Sequence, residues 1–107
     1  MKLILAIVSN DDSAAVSSTL NNNSFQVTKL ATTGGFLSLG NTTLIVGVED
    51  DQVEKAIELI GQESKRRTEV APATTSFMSS EFSPMPVEVT VGGATIFVLN
   101  VDQFLKL

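Results

Sequence analysis

The sequence predicts an α+β fold of ferredoxin-like type, βαββαβ, with an antiparallel sheet and both helices on one face. Three observations predict it. Two short apolar runs of strand length, Leu3–Val8 and Thr43–Val48, each lead through a polar or acidic cluster into a helical stretch. Two further runs, Val87–Val91 and Ala94–Val101, flank Gly92-Gly93 and read as a hairpin, because such turns demand positive φ angles. The chain has 107 residues, which fits one domain over 1–107 and is too short for two.

Each element follows in order. Leu3–Val8 ends at Ser9-Asn10-Asp11-Asp12-Ser13, a cluster suited to a helix N-cap. A helix from about Asp12 to Asn22 places Val16 and Leu20 inward, and Asn21-Asn22-Asn23 stops it. In the strand Phe25–Thr32, alternation puts Phe25, Val27 and Ala31 on one face and Gln26, Thr28 and Thr32 on the other. A short loop follows, about residues 33–40. After Thr43–Val48, Glu49-Asp50-Asp51 precedes a helix whose Val53, Ala56, Ile57 and Ile60 match the i, i+3, i+4, i+7 template. Asp51 with Glu54 reads as a capping box in which Asp replaces Ser or Thr. Ile4–Asp11 superposes on Leu44–Asp51, so the chain looks like two β-α units in tandem. From about Thr68 to Met85 the sequence is rich in Ser, Thr, Pro and Ala, with Phe77, Met78 and Phe82 but no periodicity. It reads as a long loop, and loops beyond about 12–15 residues are usually functional or disordered. Asp102–Leu107 closes the chain as a short turn or helix.

Two helices cover one face of a sheet, yet Leu3–Val8, Leu44–Val48 and Ile96–Leu99 are apolar on both faces. An uncovered apolar face of this size is an association surface, which predicts a homo-oligomer built face to face.

Composition removes most function classes. A hydrophobic content of 43% and a positive mean hydropathy of +0.25 exclude disorder. No apolar run approaches the roughly 20 residues of a membrane span, and Leu3–Val8 is too short for a signal-peptide core, so a cytoplasmic protein off the membrane is expected. Without Cys or His there is no disulfide framework, and no metal or metal cofactor is expected. A net charge of −5 argues against DNA or RNA, which are held by counterion release, while a small dianionic ligand remains compatible with a local donor field. Asp11/Asp12 and Asp50/Asp51 are explained by capping and the helix dipole. Lacking His, Cys and Tyr, the chain has no nucleophile–base pair and is not expected to be an enzyme.

The most informative segment is Ala31-Thr32-Thr33-Gly34-Gly35-Phe36-Leu37. Gly34-Gly35 serves equally as a turn between antiparallel strands or as a phosphate cradle. Phe36 favours the second, since a loop aromatic beside hydroxyls and backbone donors suits stacking on a base and holding its phosphate. Phe97 reads either as core or interface packing or as a ligand contact. Arg66-Arg67 reads as the solvated end of the second helix, where cations suit the dipole.

Lys29 to Leu37, Gly40-Asn41-Thr42-Thr43, Pro86-Val87-Glu88-Val89 and Val91 to Leu99 together resemble the PII-like cyclic-di-AMP receptor family, the PstA or DarA proteins, over nearly the whole chain. The resemblance implies a ferredoxin-like subunit, a PII-like homotrimer, ligand sites in the clefts between subunits, and no catalytic activity. It implies ligand contacts from Gln26 and Thr28 on the second strand, Gly35, Phe36 and Leu37 in the short loop, then Asn41, Gly47 and Phe97. Thr28 and Asn41 would hydrogen-bond adenine or phosphate, Gly35 and Leu37 donate from the backbone, and Phe36 and Phe97 supply apolar or stacking contact. Gly47 would let the ligand approach closely. The family pattern favours Asn at position 24 and Arg at 26, where this chain has Ser24 and Gln26, and Lys106 stands where Gln is typical.

The function expected on this basis is a signal receptor for cyclic di-AMP, whose loops rearrange on binding and change the surface shown to a downstream partner protein. The alternatives are a sensor of another adenine nucleotide such as ATP and a structural trimer that has lost binding. An acylphosphatase-like enzyme on the same fold would need an arginine loop near the first strand, and Ser9–Ser13 contains none.

Overall fold

The computed structural model describes residues 1–30, 40–71 and 87–107. Along the chain these form β1 (Lys2–Ser9), α1 (Asn10–Asn22), β2 (Val27–Leu30), β3 (Asn41–Val48), α2 (Val53–Glu63), β4 (Arg67–Ala71), β5 (Val87–Val91) and β6 (Ala94–Asn100). Four strands make one antiparallel sheet in the order β2-β3-β1-β6, and β4 with β5 makes a separate two-stranded ribbon. The α+β class and the antiparallel sheet with two helices agree with the sequence reading.

Register decides which side chains share a face. Ile4 lies opposite Val46 and Val98, and Ala6 opposite Leu44 and Ile96. Directly opposed residues of an antiparallel pair point the same way, so Ile4, Ala6, Val8, Leu44, Val46 and Val48 form one buried face. Against it pack Val16 and Leu20 of α1, Ala56 and Ile60 of α2, and Phe25. Fully burying each large apolar side chain contributes roughly 1.5–3 kcal/mol, and this shared core holds both helices to one side of the sheet. Thr19 Oγ1 donates to Glu63 Oε1 at 3.2 Å and links the two helices at its edge.

Ser9 caps α1: its backbone is extended and its side chain accepts from the Asp11 N–H at 3.2 Å, which starts the helix two residues ahead of the sequence estimate. The helix ends in a Schellman motif, with Phe25 N donating to Leu20 O at 3.0 Å and Ser24 N to Asn21 O at 3.1 Å. Ser24 occupies the left-handed position at φ 69°.

Four expectations are corrected. The Asp51–Glu54 capping box does not form: a 3-10 turn, Asp50–Gln52, leads into α2, and neither start carries a side-chain cap bond. β5 and β6 do not make a hairpin. β5 pairs with β4 and β6 with β1, because Gly92 and Gly93, both at φ +85°, pass the chain from one sheet to the other. The Gly93 N–H donates to Ser64 O, which fixes this crossing against the end of α2. The long loop expected from about Thr68 does not start there, since residues 67–71 are strand; the rest of that expectation, residues 72–86, lies outside the described residues. Asp102–Leu107 carries a bend at Asp102 and no helix. Among the described residues no helix is long and apolar enough to cross a membrane.

Candidate functional site

The sheet face away from the helices carries Leu3, Leu5 and Ile7 of β1, flanked by Ile45 and Gly47 of β3 and by Thr95, Phe97 and Leu99 of β6. Thr28 joins it by pairing with Ile45, and Leu30 by pairing with Thr43. Leu30, Phe97 and Leu99 are 43–52% exposed on this face. The strand alternation that supplies the core residues therefore places an almost equally apolar set on the opposite side.

At one end of the open face lies a cleft of about 320 Å³ between Met1, Leu3, Gln26, Thr28, Ile45, Gly47, Val101 and Phe104. Three elements build it. β2 and β3 present Thr28, Ile45 and Gly47 side by side. The absence of a side chain at Gly47 keeps the floor open, because a Cβ built there meets nothing within 4 Å. The Val101 N–H donates to Met1 O at 3.2 Å, laying the end of the chain along the start of β1 and bringing Phe104, 63% exposed, to the cleft wall. The cleft offers an amide and a hydroxyl against an apolar, partly aromatic wall, which suits a flat heterocycle with hydrogen-bonding edges. The Met1 ammonium is held by Asp50 Oδ1 at 3.0 Å. That hydrogen bond first, and the ammonium's charge second, lower the Asp50 pKa from its ordinary value of 3.8.

At the other end of the same face, Ile7, Asn41, Arg66, Gly92, Gly93, Ala94 and Thr95 surround a second, polar cleft of about 210 Å³. Arg66 lies in the short link between α2 and β4, where the bond from the Gly93 N–H to Ser64 O holds the glycine crossing alongside it. Arg66-Arg67 is thus not a solvated helix end: Arg67 reaches back to Asp12, at 2.9 Å. The outward row of β3 runs Asn41, Thr43, Ile45, Gly47 and connects the two clefts. Between them, Thr43 Oγ1 is buried with no hydrogen-bond partner among the described residues.

Of the residues expected at the site, Gln26, Thr28 and Gly47 meet in the first cleft and Asn41 stands in the second. Phe97 is on the same face, opposite Leu5 and beyond β1 from Ile45, and belongs to the wall of neither. Gly35, Phe36 and Leu37 lie outside the described residues. Sequence reasoning missed Phe104, Leu3 and Ile45 as cleft walls, and Arg66 as more than a helix-end cation. The run Phe104-Leu105-Lys106-Leu107, apolar but without periodicity, was the available signal for the first. Among the described residues no group of three or more acidic side chains gathers to hold a metal ion.

A family model described as cyclic-di-AMP receptor matches residues 1–107. Among solved structures, the crystal structure of a functionally unknown protein from Pediococcus pentosaceus ATCC 25745 is similar: 39% identical, covering 99% of this chain and 96% of that one, with a TM-score of 0.78.

Proposed function

The chain belongs to the cyclic-di-AMP receptor family, and we propose that it is a non-enzymatic receptor that binds cyclic di-AMP between subunits of a homotrimer and signals to a partner protein through loop rearrangement. The observation that carries this reading is the convergence of Gln26, Thr28 and Gly47 on one cleft beside the exposed ring of Phe104. Such a cleft receives an adenine: the ring packs on Phe104 and Ile45, and Gln26 and Thr28 address its polar edge.

Distance supports a site shared between copies. Asn41 and Gly47 are six residues apart on β3, about 20 Å at strand rise, and in this reading a ligand that meets both kinds of wall takes them from different subunits. The open face supports the same conclusion, since Leu3, Leu5, Ile7, Phe97 and Leu99 need a cover that two helices on the far side do not provide. In this reading Gly35, Phe36 and Leu37, which precede Asn41 in the sequence, complete the site, and a nucleotide held by them changes the surface presented to a partner.

Isothermal titration calorimetry with cyclic di-AMP tests the reading, with Phe36→Ala as control and ATP and cyclic di-GMP as competitors. Micromolar or tighter binding at one ligand per subunit, weakened by Phe36→Ala, is expected. Preference for ATP redirects the reading to another adenine nucleotide, and silence toward all three nucleotides leaves a structural oligomer.

A further inference from the structure

We propose that the cleft at Arg66 is a phosphate site, in which the Arg66 guanidinium, with Asn41 and Thr95, holds the phosphodiester of the bound nucleotide. The proposal rests on the receptor reading for the identity of the ligand and on the cleft's own chemistry for the rest. A cyclic dinucleotide carries two negative charges, and this chain carries a net charge of −5. Association is therefore favoured by a cation placed locally against the unfavourable field of the whole protein.

The described clefts supply few. In the cleft of Gln26, Thr28 and Gly47 no side chain is charged, and the nearby Met1 ammonium is already engaged by Asp50. A third cleft, around Ser24 and Phe25, carries the acidic Glu49. Arg67 is committed to Asp12, and Lys2 to Asn100 Oδ1. Arg66 alone places a cationic side chain in a described cleft, and it has neither an ion pair nor a hydrogen bond among the described residues. Its position is not that of a loose surface arginine. The glycine crossing lies against it, and a Cβ built on Gly93 would stand 3.8 Å from Arg66 Nε. An arginine fork beside a hydroxyl and a carboxamide is a donor set matched to phosphate oxygens. The division of labour between clefts is thus apolar and neutral for the base, cationic and polar for the phosphate.

Two measurements test this on the full chain. Calorimetry with cyclic di-AMP compares the wild type with Arg66→Ala and Arg66→Lys. Loss of a charge-assisted contact lowers affinity about 10- to 100-fold in Arg66→Ala, with Arg66→Lys in between because it keeps charge without the fork. The melting temperature is unchanged, since Arg66 is exposed. Equal affinity of wild type and Arg66→Ala overturns the proposal while leaving the receptor reading intact. If the wild type binds no cyclic di-AMP, the receptor reading fails on its own and amide NMR with inorganic pyrophosphate decides the site. Saturable shifts at Gly92 to Thr95 and at Arg66 Nε–H, abolished by Arg66→Ala, sustain a phosphate site; shifts that are absent or insensitive to Arg66→Ala overturn it.

Discussion

Arg67 Nη2 lies 2.9 Å from Asp12 Oδ1 and ties the root of β4 to the first turn of α1. The same guanidinium donates from Nη1 to Lys65 O at 3.1 Å. The Asp12 side chain is 8% exposed and that of Arg67 39%, so the two partners are unequal. Removing the arginine strands a buried carboxylate, whereas removing the carboxylate leaves an arginine that solvent already reaches and that still donates to Lys65 O. Arg67→Ala is expected to cost about 2–3 kcal/mol, less than the loss of a fully buried pair because solvent reaches Arg67. Asp12→Asn, which keeps shape and an acceptor, costs about 1 kcal/mol. Urea unfolding of the two variants checks the order; equal losses would mean the pair is screened.

Gly92 and Gly93 share φ +85° but not their surroundings. A Cβ on Gly92 runs into the Lys65 carbonyl and Arg67 Nη1, whereas on Gly93 the nearest atoms are Arg66 Cβ and Nε, both at 3.8 Å. Gly93→Ala therefore pays for backbone conformation alone, about 1–2 kcal/mol. Gly92→Ala pays that and the displacement of backbone, and loses at least another ~1 kcal/mol. Thermal unfolding of both variants measures the gap.

Ser24 holds the left-handed position of the Schellman motif without being glycine, and its side chain is exposed. Ser24→Gly is expected to raise stability by about 0.5–1 kcal/mol, and Ser24→Asn by a smaller amount, because both residues enter the left-handed region more readily than serine. A rise in the urea midpoint at constant slope reports it.

Gly47 lies in extended backbone with open space in front of it. Gly47→Ala is expected to leave stability within about 0.5 kcal/mol. Gly47→Leu fills the cleft from its floor and reduces nucleotide affinity at least tenfold without lowering the melting temperature. Phe104→Ala removes the facing wall, and a lost stacking contact of about 1–3 kcal/mol weakens binding roughly 5- to 150-fold. Calorimetry paired with a melting curve separates these effects from unfolding.

How much of this could be read from the chain alone varies with how local the cause is. The pattern of Val53, Ala56, Ile57 and Ile60 announced α2, and Ala56 and Ile60 are fully buried, because the periodicity of a helix is written in consecutive residues. Val16 and Leu20 are buried as expected for the same reason. Gly92-Gly93 was legible as a place of positive φ but not as a crossing between sheets. A glycine pair specifies conformation and leaves the choice of partner strand to Ser64, Lys65 and β4, which are distant in sequence. Motif resemblance points to Gln26, Thr28 and Gly47, and their shared cleft depends on the β2–β3 register. Phe104 enters only through the contact of Val101 with Met1, at opposite ends of the chain.

The sequence by itself determined the α+β class, the inward face of each helix and the presence of a second apolar sheet face, since these follow from periods of 3.6 and 2.0 acting over neighbouring residues. Only the tertiary structure decided that β5 leaves β6 for β4, that Arg67 serves Asp12 while Arg66 stands in a cleft, and that one outward row of β3 carries a polar end at Asn41 and an apolar one at Gly47. The physical reason is that pairing, ion-pair choice and cleft shape are set by free energies between residues far apart in the chain, where local propensity is silent.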